Sequence, residues 1–376
     1  MLETTKHLLS IHLSPPQKSI VRLLFNTVKS PIHVKKHLNQ YQYEKNVLKN
    51  PKFSHIPPVF TATITEQCNL RCPTCLYLLE NENKFHSAHI SIESFGEILK
   101  TANPDKLAQI LFLTGGEPLL HPNIGDLIQL AREQGFSPRL STNGILIGKK
   151  INDLSNVDYI NVSLDAYDYD SFLKNRGGTP HQFDLIKEGI ESLKQHKNFF
   201  SISFVLTATN VRVVDKMIQL AEELRPPSVY FHNINPHGCE SFKPLLLKDM
   251  VTKKFLQDIT KRTDYPFDIN ISCIFNPGSQ HFKESRCIQP WYYFCFNHEG
   301  NIAYCCHLSH EPAIGNVFRG YDFNSAEMVQ FRSNIIEGQI PKSCIYCQRR
   351  FMDSEFGNFS SHSRKWYINK LYAGNY

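Results

Sequence analysis

Strand-like and helix-like stretches alternate along this chain from residue 59 onward. Short apolar runs rich in β-branched and aromatic residues fall at 59–64, 107–114, 137–142, 159–165, 199–207 and 228–234, lengths that suit buried strands. Between them, apolar residues recur at helical spacing over 123–134, 182–196, 211–225 and 248–262. The run Ser91–Leu99 adds a helix start, with Ser91 as cap and Glu93 in an acidic first turn. Strands each followed by a helix predict an α/β fold with a parallel sheet, while periodicity alone leaves an open sheet and a partial barrel equally available. Near residue 265 the texture changes. Residues 266–350 are rich in Cys, Pro, Asn and aromatics, with few long apolar runs. That texture suits a small metal-stabilised domain, with one helix expected at 324–337. The organisation expected is therefore a basic, mainly helical segment at 1–58, an α/β unit at 59–265, a cysteine-rich domain at 266–350 and a tail at 351–376 with no assigned role.

Composition narrows this picture. The chain has 376 residues, 41% of them hydrophobic, enough for one large domain or one large and one small. No run approaches the ~18 apolar residues of a membrane span, and the first ten residues hold no uninterrupted apolar core, so no signal peptide is read. Eleven cysteines, mostly clustered, then favour metal ligation in a reducing cytoplasm over disulfides. The net charge of +6 is uneven: residues 1–58 carry nine Lys/Arg against two Asp/Glu. That leaves the rest near neutral and gives no footprint for nucleic acid. The stretch Gln17–Lys29 is amphipathic with a basic rim. It suits peripheral contact with a membrane surface, contact with a leader peptide, or closure of its own domain. No strand-rich, winged-helix precursor-binding domain is visible.

The chemistry is concentrated after the first strand, in Thr65-Glu66-Gln67-Cys68-Asn69-Leu70-Arg71-Cys72-Pro73-Thr74-Cys75. Three thiolates on one loop can hold three irons of a four-iron cluster and leave the fourth open to a ligand. A zinc knuckle completed by a distant His or Cys uses similar ligands. The second strand runs into Gly115-Gly116-Glu117-Pro118, where glycines allow close backbone approach. The third ends at Ser141-Thr142-Asn143-Gly144 and the fourth at Ser163-Leu164-Asp165-Ala166, with Asn175-Arg176-Gly177-Gly178 beyond. Small polar side chains thus sit at strand C-termini, the ligand-binding end of parallel α/β folds. In the last third, Cys287 is followed by Gly300 and Cys305, then by Cys344-Ile345-Tyr346-Cys347. These four thiolates would close a second cluster or a zinc ribbon. Cys306 adjoins Cys305 and competes for its place, though the spacing from Gly300 favours Cys305. Cys239, Cys273 and Cys295 read as buried or incidental. His232 and His237, near the end of the sixth strand, read as surface or core residues.

The order of these motifs resembles the radical S-adenosylmethionine (SAM) superfamily, and the later cysteines resemble the auxiliary-cluster module of its SPASM and twitch members. The resemblance covers about residues 59–350. It implies a partial (β/α)6 TIM-type barrel followed by a small auxiliary-cluster domain. It implies that Cys68, Cys72 and Cys75 hold a [4Fe-4S] cluster whose open iron chelates SAM. Gly115, Gly116 and Glu117 would meet the SAM amino group. Ser163 and Arg176 would approach its carboxylate and ribose, with Ser141 and Asn143 close by and Arg176 counted as catalytic. The family has an aromatic just before the third cysteine, where this chain has Thr74, so adenine contact would pass to Leu76 or Tyr77. Cys287, Cys305, Cys344 and Cys347 would hold one further [4Fe-4S] cluster; no cysteine follows Cys347 to supply another. The implied reaction begins with an electron from a flavodoxin- or ferredoxin-type donor, which cleaves SAM to a 5′-deoxyadenosyl radical. Hydrogen abstraction from the substrate and electron transfer to the auxiliary cluster complete a net oxidation. A small polyol, sugar or nucleotide is the expected substrate and a peptide the alternative. A zinc-stabilised α/β binding protein is the non-enzyme alternative.

Overall fold

The computed structural model of the chain describes residues 56–75, 88–236, 239–248, 250–262, 264–273, 287, 289–306, 308, 312–345 and 347, with five positions between 43 and 52. The amphipathic stretch at 17–29, Leu76, Tyr77, His237 and the tail at 351–376 lie outside the described residues.

Strands and helices alternate as the hydrophobic pattern predicts: β1 Val59–Thr65, α1 Ile92–Ala102, β2 Ile110–Gly115, α2 Ile124–Glu133, β3 Ser137–Thr142, β4 Tyr159–Ser163, α3 Tyr169–Arg176, α4 Pro180–Gln195, β5 Phe200–Leu206, α5 Val214–Leu224, β6 Ser228–Asn233 and α6 Met250–Lys261. Beyond them come β7 Asp268–Ser272, β8 Tyr293–Asn297, β9 Asn301–Ala303, β10 Gly315–Asn316 and α7 Ala326–Ile336. All ten strands form one sheet, in the order β10-β9-β8-β1-β2-β3-β4-β5-β6-β7. Neighbours from β8 through β7 pair in parallel, and the β8–β9–β10 hairpins are antiparallel. The boundary expected at 265 therefore falls inside a continuous sheet: β7 extends it beside β6, and β8 pairs with β1.

The two faces of the sheet differ. Leu111, Leu113, Leu140, Ile160, Val162, Ile202, Phe204, Val229 and Phe231 are fully buried, and with Phe95, Ile128, Ile186, Ile190 and Met217 of the covering helices they form the main core. The alternate positions are mostly polar and half-exposed: Thr114, Arg139, Ser141, Tyr159, Asn161, Ser163, Tyr230 and His232. Side chains alternate across a strand, so these residues share the opposite face. The sheet is rolled around that face. The Tyr159 hydroxyl on β4 bonds to Tyr230 on β6, two strands away. Arg139 on β3 feels both Tyr230 on β6 and Tyr293 on β8, three strands off to either side. Strands lie about 4.8 Å apart, so such reach requires curvature. The architecture is a partial barrel with apolar walls outside and a polar lumen.

A second core joins α7 to the cysteine-rich region. Trp291, Tyr292, Met328, Phe331 and Ile335 pack with Tyr43, Val47, Cys287 and Cys305. Fully buried Arg332 stitches this region together, donating to the carbonyls of Pro290, Lys52 and Phe323 and to Asn324 Oδ1. Burial pushes its pKa down to about 10, a cost offset by four neutral acceptors and the Phe323 ring 4.5 Å beneath it.

Candidate active site

The three-cysteine loop leaves β1 at the C-terminal end of the barrel and is clamped from three sides. The backbone after β2 holds its start: Gly116 N–H donates to Thr65 O at 3.0 Å and Glu117 N–H to Gln67 O at 2.6 Å. Here glycine is obligatory. A Cβ on Gly115 would lie 2.2 Å from Thr65 O, and one on Gly116 would lie 2.3 Å from Gln67 O. The end of β3 holds its middle, through Asn143 Nδ2 donating to Asn69 Oδ1 at 2.7 Å. Gly177, in the left-handed region at φ +66°, presses on its far side, where a Cβ would meet Arg71 O at 2.6 Å. Within the loop, the Arg71 guanidinium donates to the carbonyls of Cys68 and Leu70, and Cys75 N–H donates to Cys72 O.

The three thiols stand within electrostatic reach of one another, with Arg176 as the nearby cation. Burial pushes the Cys72 thiol up to about 11 against the pull of Arg176, and raises Cys68 as well despite its bond from the Leu70 backbone. Burial thus favours the neutral thiol at Cys68 and Cys72 in the bare loop, and a metal bound there would displace their protons. Arg176 ends α3 and bonds Asp165 through Nη1–Oδ2 at 2.7 Å, with side chains 13% and 10% exposed. Its Nε is buried without a partner. Asp165 also accepts from Val205 N–H at 2.6 Å and adopts φ +52°, an uncommon conformation for a non-glycine residue. Asn175 Nδ2 donates to its carbonyl at 2.7 Å.

Glu117 lies beneath this loop, 1% exposed. Its carboxylate accepts from Leu119 N–H at 3.0 Å, the Thr142 hydroxyl at 2.6 Å and Asn143 N–H at 2.7 Å. Burial raises its pKa against the pull of these donors. A carboxylate has about four acceptor positions, so three are taken internally. Ser141 and Ser163 line the lumen below, and the Ser141 hydroxyl accepts from Asn161 Nδ2.

The later cysteines also gather. Cys305 is in electrostatic reach of Cys287, Cys344 and Cys347. Cys306 turns its thiol to Cys295 on β8. Gln289 N–H points at Cys287 Sγ (3.4 Å), and Asn235, in the loop after β6, points its Nδ2 at Cys347 Sγ (3.5 Å). The second group thus sits against the barrel. None of the eleven cysteines is in a disulfide. Among the described residues no three His, Cys, Asp or Glu side chains converge on one ion-sized point; a cubane does not require it, since each of its irons takes its own thiolate.

Sequence reasoning did not single out Asp165, Asn69, Asn235 or the pair His298 Nδ1–Glu66 Oε1, 3.7 Å apart where β8 and β1 end. Asp165 closes a polar strand end beside Ser163, and that position was its only signal.

Residues 62–221 match the family model of the radical SAM superfamily. These residues form a radical SAM domain. Among curated proteins, it is 28% identical over 183 residues to Fe-coproporphyrin III synthase of Methanosarcina barkeri (strain Fusaro / DSM 804), covering 47% of this chain and 44% of that protein. It is 26% identical over 217 residues to a probable GTP 3′,8-cyclase of Methanococcus maripaludis (strain C5 / ATCC BAA-1333), covering 54% and 71%. The chain therefore spans less than half of the first of these relatives. Among solved structures, SuiB of Streptococcus suis bound to S-adenosylmethionine superposes with a TM-score of 0.63 at 15% identity, over 84% of this chain and 76% of that one. The anSMEcpe structure with bound AdoMet and Cp18Cys peptide gives 0.57 at 19% identity, over 85% and 97%. The radical SAM fold is common to them. A radical SAM domain implies a [4Fe-4S] cluster and SAM. No helix among the described residues is long and apolar enough to cross a membrane.

Proposed function

We propose that the protein oxidises a small polyol, sugar or nucleotide by SAM-derived radical chemistry and delivers the resulting electron to a second [4Fe-4S] cluster. The observation that carries this reading is the clamped three-cysteine loop beside the Arg176–Asp165 pair, above a polar lumen. When bound, the cluster and SAM supply a 5′-deoxyadenosyl radical at the mouth of the barrel, and the second cluster supplies an electron acceptor. The chain's own residues do the placing. Cys68, Cys72 and Cys75 hold the first cluster, and Arg176 offsets the charge of their thiolates. The remaining acceptor position of Glu117 takes the SAM ammonium, with Gly115 and Gly116 admitting it closely. Ser163, Ser141 and Asn143 order the polar mouth, and adenine contact is assigned to Tyr77 from its place in the sequence after Cys75. Cys287, Cys305, Cys344 and Cys347 hold the second cluster within the domain at 266–350. A flavodoxin or ferredoxin supplies the electron in a cytoplasmic setting.

The polar lumen supports a small hydroxylated substrate, because Arg139, Ser141, Tyr159, Asn161, Ser163, Ser201 and Ser203 on β3 to β5 offer hydroxyls, an amide and a guanidinium. A peptide substrate is the second reading. It is favoured by the superposition, with a TM-score of 0.58, on SuiB bound to its precursor peptide SuiA. Metal content tests the two-cluster reading. Anaerobically prepared wild type should carry about eight irons per chain, and a Cys344→Ala/Cys347→Ala protein about four while still cleaving SAM. Four irons with stoichiometric zinc in the wild type would exclude the second cluster.

A further inference from the structure

Arg139 occupies an unusual place. It sits on β3 in the N-terminal half of the barrel and faces the lumen between Phe112 of β2 and Tyr159 of β4, its register neighbours. Its guanidinium lies over both rings, 5.5 Å and 6.0 Å from their centroids. Such stacking fixes the plane of the guanidinium while leaving its edge free to bind. No hydrogen bond or ion pair among the described residues engages that edge, and Nε is buried without a partner. The nearest acid, Asp158, is turned away: its carboxylate is held by Arg132 and by the Ser137 hydroxyl. The other groups in electrostatic reach are the phenols of Tyr159, Tyr230 and Tyr293, from three different strands. A half-buried guanidinium with no acid and an unfilled donor is costly to maintain for packing alone. It is what an anion site looks like without its anion.

Above it the lining changes character. Ser141, Asn161, Ser201 and Ser203 form one hydrogen-bonded layer, with Asn161 donating to Ser141 and Ser203 and accepting from Ser201. Asn143, which clamps the cysteine loop, lies four positions beyond Arg139, a rise of about 13 Å.

We infer that Arg139 binds an anionic group of the substrate at the floor of the lumen, among the rings of Phe112, Tyr159, Tyr230 and Tyr293. The substrate is then a phosphorylated or carboxylated polyol. Its hydroxyls meet the Ser/Asn layer and its reacting carbon lies two side-chain layers above the charge. This deepens the proposed function and rests on the reading that SAM occupies the mouth.

The test uses anaerobically reconstituted full-length enzyme, titrated calorimetrically with ribose 5-phosphate, gluconate and uncharged ribitol, with and without SAM. Wild type should bind at least one anionic probe tenfold or more tighter than ribitol, and the better of the two identifies phosphate or carboxylate as the source. Arg139→Met should bring that probe to the ribitol level with SAM affinity unchanged within about threefold, and Arg139→Lys should keep part of the preference. Equal binding of charged and uncharged probes by wild type would overturn the inference, as would full anion affinity in Arg139→Met. Loss of SAM binding together with anion binding in both variants would also overturn it, by making Arg139 a support of the barrel. A wild type that prefers anions but binds no SAM would instead defeat the proposed radical chemistry and leave the anion site standing.

Discussion

The Asp165–Arg176 pair offers a sharp test of how the site is held. Asp165→Asn keeps the side-chain shape, tolerates the left-handed φ of +52° and can still accept from Val205 N–H through its amide oxygen. Its amide nitrogen then faces the Arg176 guanidinium, donor against donor. Both side chains are close to nine-tenths buried, so solvent screens the loss little. Breaking a buried pair from one side costs about 3–5 kcal/mol, and the residual exposure and surviving Val205 bond place Asp165→Asn near the lower end, about 3 kcal/mol. Arg176→Met should cost a similar amount by stranding the carboxylate. The double variant should cost little more than either single, giving a coupling energy of about 2 kcal/mol, in the range for hydrogen bonds to charged groups. Urea melts of metal-free protein under reducing conditions, with unchanged slope, read this directly. The coupling should persist from 0.15 M to 1 M salt, as a surface pair would not. Single-variant losses that add within about 0.5 kcal/mol would refute the reasoning.

Glu117→Gln should weaken SAM binding about ten- to a hundredfold, the equivalent of a charge-assisted bond of roughly 1.5–3 kcal/mol. Because the new amide nitrogen must also face one of the donors from Leu119, Thr142 or Asn143, metal-free stability should fall as well, by about 1–3 kcal/mol. Unchanged SAM affinity by titration would remove Glu117 from the site. Asn235→Leu deletes the amide that points at Cys347 Sγ. Donors to sulfur favour the reduced, more negative cluster, so the potential of the proposed second cluster should fall by about 40 mV if the bond is worth about 1 kcal/mol more in that state. Redox titration followed by electron paramagnetic resonance checks the shift.

Much of the barrel was legible because its strands are short apolar runs between amphipathic helices. The expectation 59–64 became Val59–Thr65, and 228–234 became Ser228–Asn233. The chemistry-bearing loops were legible because each sits at a strand end. What local pattern could not show was partnership over distance. The run Tyr293–Asn297 lies in cysteine-rich surroundings, yet it pairs with β1, more than 200 residues earlier. The helix Tyr169–Arg176 was missed for another reason. It is held by an Asp168–Ser171 capping box and stopped by Gly177, while Leu173 faces solvent at 61% exposure, so it shows little apolar periodicity. Glu117 was read as a ligand contact, and its three internal donors could not be inferred from spacing. The polar lumen was written in the alternation Arg139-Leu140-Ser141 and Tyr159-Ile160-Asn161-Val162-Ser163, where every second residue is polar, a pattern that a strand covered on both faces does not need.

The central claim is that Cys68, Cys72 and Cys75 assemble the site of SAM cleavage. Its most direct test is the yield of 5′-deoxyadenosine from anaerobically reconstituted protein with SAM and dithionite, measured by mass spectrometry for wild type and Cys72→Ala. The account predicts product from wild type and none from Cys72→Ala, even with the second cluster proposed at Cys287, Cys305, Cys344 and Cys347 left intact. Equal product from both proteins, or none from an iron-loaded wild type, would contradict it.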